Sequence, residues 1–365
     1  MKVAIVHYWL IGMRGGEKVV EALCEMYPDA DIYTHVYNPA SISPTINRHQ
    51  IRTTFISRLP GALRWYQRYL PLMPLALEQL DLRAYDLVIS SESGPAKGVV
   101  ISPGTLHICY CHTPMRYVWD MYHDYLAETG RVTRWVMRPV MHYLRLWDLL
   151  SAFRVDHFIA NSRYVSKRIA KHYRRQSDVI HPPVSVADFF VADTTEDYYL
   201  MVGQLVSYKR TDIAIQAFNK LKRKLVIIGE GDQYEHLSRM AGPTITLLGR
   251  QPFAVIREHY AKCRALIFPG VEDFGIVPLE AMASGRPVIA YRAGGALETV
   301  AEGKTGLFFD IQSAQSLADA VTHYEAHAAS FIPASIRAHA EAFQVSRFKQ
   351  EMQSLITRLL DEQNE

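Results

Sequence analysis

The chain has 365 residues, 49% of them hydrophobic and 21% charged, with a formal net charge of +3. That length accommodates two domains with full-sized cores, and the balance is ordinary for a soluble α/β protein. No apolar run approaches the roughly 18 residues that a membrane-spanning helix requires. Four cysteines, Cys24, Cys109, Cys111 and Cys263, show no paired framework, so reduced thiols in the cytoplasm are expected rather than disulfides.

The opening MKVAIVHYWL lacks the flanks of a signal peptide, and Lys2–Val6 reads as a buried parallel strand. It leads into Gly12-Met13-Arg14-Gly15-Gly16-Glu17 and then a helix near Lys18–Met26. This is not the dinucleotide fingerprint G-x-G-x-x-G, yet Gly15 and Gly16 at a strand–helix junction let backbone approach a phosphate closely. Asp29-Ala30-Asp31 has the look of a metal-binding D-x-D, but it precedes the strand Ile32–Val36 and is predicted to be a solvated turn. Arg58, Arg64 and Arg68 among Trp65, Tyr66 and Tyr69 make a basic, aromatic patch.

Cys109-Tyr110-Cys111-His112 continues the strand begun at Leu106 and has no second cluster at metal-ligand spacing. His112 ends that strand and Pro114 breaks the next segment, which places the imidazole at the crevice beyond the sheet. Arg131 to Phe158 interleaves Arg131, Arg134, Arg138, Arg145 and Arg154 with Trp135, Trp147 and aliphatic residues. It reads as a basic amphipathic helix kinked near Pro139, either lying on an anionic membrane or facing the core with a solvated basic side. Ser162 suits the N-cap of a helix over Arg163–Tyr173. Residues 1–180 hold 22 Lys and Arg against 15 Asp and Glu, and residues 181–365 hold 18 against 22, so the halves carry +7 and −4. A basic front half points to an anionic partner such as a phospholipid surface or a lipid-linked diphosphate; no nucleic-acid motif accompanies it.

His181-Pro182-Pro183 is the most punctuated segment before a new α/β run, which sets the domain boundary: 1–183, with a C-terminal helix of about 345–365 returning to it, and 184–344. Tyr199–Gly203 reads as a strand, and Ser207-Tyr208-Lys209-Arg210 precedes a helix near Asp212. Lysine and arginine at such a junction suit a diphosphate. A strand over Lys224–Ile228 and the turns Gly229–Asp232 and Leu248-Gly249-Arg250 come next.

From Phe268 the chain reads FPGVEDFGIVPLEAMASGRPVIAYRAGGALETV. Ala265–Phe268 is a buried strand stopped by Pro269-Gly270, Pro278 suits a first helical turn, and Gly285 suits a left-handed C-terminal residue. Glu272 falls on the loop and Glu280 in the expected first turn, flanking Phe274, Gly275 and Ile276, whose amides suit an anion.

This string resembles the glutamate–seven–glutamate motif of glycosyltransferase family 4, retaining enzymes of the GT-B fold, and the resemblance covers nearly the whole chain. It implies an α/β protein of two Rossmann-like domains facing a cleft, the first binding an acceptor and the second a nucleotide sugar. It further implies that Lys209 neutralises the donor diphosphate, Glu280 accepts ribose hydroxyls, and Glu272 with Phe274, Gly275 and Ile276 holds the hexose. His112 would hydrogen-bond that hexose, the Gly15-Gly16 loop would lie near the diphosphate, and Arg250 would border the base. Arg116, Tyr117, Trp119 and Asp120 would shape the acceptor end. Family members commonly carry arginine after the first glycine, where this chain has Gln204, so one diphosphate contact is in doubt and Arg210 is the candidate to replace it. No cofactor or metal is expected. The partners implied are a nucleotide-sugar donor, a lipid-linked or saccharide acceptor and an anionic membrane surface, with the enzyme cytoplasmic and peripheral. GDP-mannose is the favoured donor, from resemblance to polysaccharide mannosyltransferases. A nucleotide-sugar epimerase and a non-catalytic nucleotide-sugar sensor are the alternatives.

Overall fold

Val3–His7 (β1) is buried at every position, as are Leu87–Glu92 (β4) and Leu106–Cys111 (β5), because helices cover both faces of a parallel sheet. With Asp31–Thr34 (β2), Ile51–Thr53 (β3), His157–Ala160 (β6) and Asp178–Val179 (β7) they form one sheet of order β3-β2-β1-β4-β5-β6-β7. The computed structural model describes residues 1–127 and 129–364; Glu128, and Glu365 at the end of the expected C-terminal helix, lie outside the described residues.

The second sheet holds Tyr199–Val202 (β8), Leu225–Ile228 (β9), Ile245–Gly249 (β10), Leu266–Phe268 (β11), Val288–Tyr291 (β12) and Gly306–Phe309 (β13), in the order β10-β9-β8-β11-β12-β13. Each sheet therefore reverses its winding once, between β1 and β4 and between β8 and β11. The loops leaving the two strands at such a switch point diverge, and the crevice between them is where doubly wound sheets take their ligands. The chain divides into two units, Met1–Pro183 with Phe348–Glu365, and Val184–Arg347. The last helix, Val345–Asn364, carries Phe348 into the first unit, where the ring is fully buried with its centroid 5.7 Å from that of Tyr110. Burial of one such ring is worth about 1.5–3 kcal/mol.

Three expectations are corrected. The first helix starts at Gly15 rather than near Lys18, because Glu17 accepts the Arg14 amide at 3.0 Å and closes its first turn. Asp31 is not a solvated turn residue: it is 8% exposed and accepts a hydrogen bond from Tyr85. The basic helix runs only from Arg131 to Ser151 before a short 3-10 turn, and Arg134 and Arg145 on it, with Arg154 on the turn, are half-buried rather than fully solvated. Arg134 donates to Leu126 O at 2.9 Å, Arg145 to Val118 O at 2.7 Å, and Arg154 to Gly98 O at 2.9 Å.

Candidate functional site

In the second unit the loops after β8 and β11 flank the switch point, and one ion pair spans them. Lys209, the last residue of a short 3-10 turn, reaches Glu272 on the β11 loop, with Nζ 2.8 Å from Oε1. Both side chains are mostly enclosed, at 14% and 20% exposure, so the pair is screened far less than a surface one. Gly203 at the end of β8, with φ 148°, makes room for it: a Cβ there would stand 2.9 Å from Lys209 Nζ. The Glu272 carbonyl accepts the Gly295 amide at 2.8 Å, which ties this loop to the one after β12.

Beyond Glu272 the helix Ile276–Ala283 begins after Gly275. Glu280 is its fifth residue, so it lies in the second turn rather than the expected first. Tyr260, itself fully buried, donates to Glu280 Oε2 at 2.7 Å. Burial first, and then the Glu280 charge, pushes that phenol far above its usual range, so Tyr260 remains a neutral donor. Arg210 takes a left-handed backbone and directs its guanidinium to Asp212, at 3.1 Å twice, and to Gln312 at 3.2 Å. It does not join the Lys209–Glu272 pair, and neither does Arg250, which is 81% exposed and 3.6 Å from Glu230.

In the first unit, polar side chains gather at the β1/β4 switch point. His7 ends β1, Ser91 is its register partner on β4, and His112 follows β5. Ser91 Oγ lies 3.0 Å from His7 Nδ1 and 2.8 Å from His112 Nε2. Gly16, the second residue of the first helix, closes over them: a Cβ there would stand 2.8 Å from the Tyr8 hydroxyl and 3.6 Å from His112 Nε2. Burial, with the neighbouring His7 second, lowers the His112 imidazole to about 3, so it is neutral at any physiological pH.

Below this row, Lys97 is fully buried between two carboxylates. It lies 2.6 Å from Glu92 Oε1 and also bonds Asp148, which in turn accepts from Trp119 at 2.7 Å and Tyr173 at 2.9 Å. Burial opposes the Lys97 charge, but the Asp148 and Glu92 carboxylates outweigh it and hold the ammonium above its usual range. The Glu92 carbonyl accepts the His112 amide at 2.7 Å, so this buried cluster anchors the strand end that carries His112.

Sequence reasoning does not single out His7, Glu17, Ser91, Lys97, Asp148 or Tyr260. The signal that could have found some of them is the polar Ser90-Ser91-Glu92 closing an otherwise apolar strand, a usual mark of a strand's ligand-facing end. Among the described residues no group of three His, Cys, Asp or Glu side chains is placed to hold a metal ion.

Two doubly wound parallel sheets, each with charged or hydrogen-bonding side chains gathered at its switch point, define a ligand-binding α/β protein of two Rossmann-like units. The family model described as Glycosyltransferase Family 4 matches residues 13–188, and that described as Glycosyl transferases group 1 matches residues 188–330. The chain belongs to this glycosyltransferase family. It is similar to a GDP-mannose-dependent alpha-(1-6)-phosphatidylinositol monomannoside mannosyltransferase of Mycolicibacterium smegmatis, 32% identical over 44% of this chain and 50% of that protein. It is also similar to the O-antigen chain mannosyltransferase RfbU of Salmonella typhimurium, 31% identical over 40% of this chain and 45% of that protein. The chain spans about half the length of the curated relatives it matches. Among solved structures, Anabaena HepE in complex with UDP and glucose superposes with TM-score 0.71 at 16% identity, covering 98% of this chain and 99% of that one. Sucrose-phosphate synthase from Thermosynechococcus elongatus gives 0.73 at 17% identity, covering 99% and 100%. These likenesses identify the fold as GT-B.

Proposed function

We propose that the protein moves a hexose from a nucleoside-diphosphate sugar to a hydroxyl of a lipid-linked or saccharide acceptor, with retention at the anomeric carbon. The observation that carries this reading is the Lys209–Glu272 pair at the β8/β11 switch point, beside the N-terminus of the Ile276–Ala283 helix. A cation and a helix N-terminus together suit a diphosphate whose charge grows as the sugar leaves. The second unit holds the donor: Lys209 faces the diphosphate, Glu272 and the amides of Phe274, Gly275 and Ile276 hold the hexose, and Glu280 accepts ribose hydroxyls. The acceptor belongs to the first unit, and His112 hydrogen-bonds the transferred sugar.

In the reaction the bond from the anomeric carbon to the diphosphate oxygen breaks as the acceptor oxygen bonds to the same face of that carbon. The acceptor proton passes to the departing diphosphate. No metal is assigned a step, since Lys209 and the helix N-terminus supply the positive field. Mannose from GDP-mannose is the favoured donor; the names of two relatives about 30% identical support mannose, and one of them GDP-mannose. The phosphatidylinositol mannoside in one of those names supports a lipid acceptor here.

A membrane partner fits the first unit. The Arg131–Ser151 helix buries Met141, Leu144 and Trp147, yet its opposite side exposes Val132 (81%), Trp135 (77%), Tyr143, Leu146 and Leu150. Asp148 is its only acid and is buried, while Arg131 and Arg138 are exposed beside the apolar stripe. An apolar stripe bordered by cations and free of exposed acids matches the interface of an anionic bilayer. Among the described residues no helix is long and apolar enough to cross a membrane. The attachment in this reading is peripheral, on the inner face of the cell membrane.

The test is incubation with radiolabelled UDP-, GDP- and dTDP-sugars and a lipid extract, with and without EDTA. Label in a lipid or saccharide product is expected, undiminished by EDTA. Label recovered only as free or epimerised sugar identifies an epimerase instead, and nucleotide-sugar binding without turnover identifies a sensor.

A further inference from the structure

Glu17, His7, Ser91 and His112 form a continuous row of polar side chains across the β1/β4 switch point. Glu17 Oε2 is occupied by the Arg14 amide at 3.0 Å, and its other oxygen stands 4.0 Å from His7 Nε2. His7 Nε2 is buried and has no hydrogen-bond partner among the described residues. His7 Nδ1 meets Ser91 Oγ at 3.0 Å, and Ser91 Oγ meets His112 Nε2 at 2.8 Å. His112 Nδ1, at the far end, has no hydrogen bond among the described residues. His7, Glu17 and Ser91 are at most 2% exposed, so bulk water cannot freely reorient the row.

Ser91 has a single proton between two imidazole nitrogens, so with both rings neutral it donates to one and accepts from the other. If it donates to His112, His7 carries its proton on Nδ1 and presents a bare Nε2 lone pair to the Glu17 carboxylate. If it donates to His7, the His7 proton sits on Nε2 and faces Glu17, and His112 donates from Nε2 to Ser91. A carboxylate attracts the N–H and repels the lone pair, and enclosure strengthens that choice.

We propose that Glu17, His7 and Ser91 are positioning residues that fix His112 with its proton on Nε2, leaving Nδ1 as a hydrogen-bond acceptor for a substrate hydroxyl. This rests on the reading of His112 as a sugar contact. It gives that contact a direction: the sugar hydroxyl donates and the imidazole accepts. It also accounts for Gly16, since any side chain there would enter the row beside His112 Nε2.

The experiment is two-bond ¹⁵N–¹H correlation on the full chain labelled with ¹⁵N-histidine, with the His112 signals identified by their loss in His112→Asn. The expected wild-type spectrum shows His112 protonated on Nε2 and bare on Nδ1. Glu17→Gln, which keeps shape and removes charge, and Ser91→Ala should each give mixed or reversed His112 tautomers. Each should lower kcat/KM roughly tenfold, the size of one lost hydrogen bond. Ser91→Thr, which restores a hydroxyl, should restore the tautomer. A wild-type His112 with its proton on Nδ1, a His7 protonated on both nitrogens, or a tautomer indifferent to both variants overturns the proposal. Absence of sugar transfer in a protein with the expected tautomer counts against the functional reading and leaves the row intact.

Discussion

Tyr260 donates its hydroxyl to Glu280 across 2.7 Å, linking the Phe253–Lys262 helix to the Ile276–Ala283 helix. A neutral donor on a carboxylate that is only partly exposed both orients the acid and offsets its loss of water. Tyr260→Phe removes that donor with little change in volume. Because the partner is charged, the bond is worth about 1.5–3 kcal/mol. We expect a loss of that order in the free energy of urea unfolding, together with weaker binding of the donor nucleotide in calorimetry. Unchanged stability and affinity would show that Tyr260 does not position Glu280.

Lys209 and Glu272 are predicted to act as a unit. Lys209→Ala leaves the enclosed Glu272 carboxylate without this cation, so that variant carries a penalty beyond its own contacts. Lys209→Ala is expected to lower kcat by about 10²–10³, the effect of losing one preorganised group at a developing charge. In a double-mutant cycle with Glu272→Gln the two losses should fall short of adding, because the second change relieves the unpaired charge left by the first. Initial rates of the four proteins decide this; strict additivity would dissolve the pair as a functional unit.

Strands buried on both faces leave apolar runs, so Val3–Val6, Leu225–Ile228 and Leu266–Phe268 are legible in the sequence alone. The punctuated Phe268–Gly285 stretch likewise discloses its strand, loop and helix. The features that stay hidden depend on pairing across the sheet. His7 and Ser91 are 84 positions apart and meet only because β1 lies beside β4. Tyr260 and Glu280 sit on separate helices, and no local pattern joins them. Gly15 and Gly16 read as loop because glycine disfavours helices, whereas the Glu17 carboxylate on the Arg14 amide secures the turn they begin. The Arg131–Ser151 helix has two apolar sides, and periodicity alone does not assign one to the core and the other to the outside.

Acidification should destabilise the first unit through its buried imidazoles. Burial lowers His35 and His107 to about 4 from an ordinary 6.5, against smaller raising effects of the Pro95 and Arg154 carbonyls respectively. The unfolded chain therefore takes up these protons below pH 6.5, and the folded chain does so only near 4. Stability present above 6.5 is lost between those values, about 2 kcal/mol per histidine at pH 5. Denaturant unfolding at pH 7 and pH 5 measures the loss; because His112, lowered still further, contributes a similar amount, His107→Gln should remove about a third of it. His112, lowered to about 3, should contribute no titration near neutrality to the pH profile of initial rates. A decline at pH 5 that His107→Gln leaves unaltered would assign it to other groups.

Membrane attachment should depend on the exposed side of the Arg131–Ser151 helix. Its stripe runs through Val132, Trp135, Val136, Tyr143, Leu146 and Leu150, and continues to the exposed Phe153 beyond the helix end. The Met73–Glu78 helix lies alongside, with Glu78 2.6 Å from Arg154, and shows an exposed Leu75. Arg64 and Arg68 stand 5.7 and 5.1 Å from the ring of Trp65, which is 41% exposed, and add cations to the same unit. Arg134 and Arg145 are unsuitable probes because they hold backbone carbonyls, so their loss would disturb the fold. Arg131→Glu/Arg138→Glu and Trp135→Ser/Leu146→Ser test charge and apolar contact separately. Each basic residue near an anionic surface contributes about 1 kcal/mol, so the charge reversals should weaken binding at least about 30-fold. Sedimentation with phosphatidylglycerol vesicles should show binding that falls at high salt and with either pair, and little binding to phosphatidylcholine. Circular dichroism verifies that the variants remain folded. Absent binding in the wild type, or binding indifferent to salt and to both pairs, would remove the bilayer as the occupant of this face; a concentration-dependent mass abolished by Trp135→Ser/Leu146→Ser would assign it to a second copy of the chain.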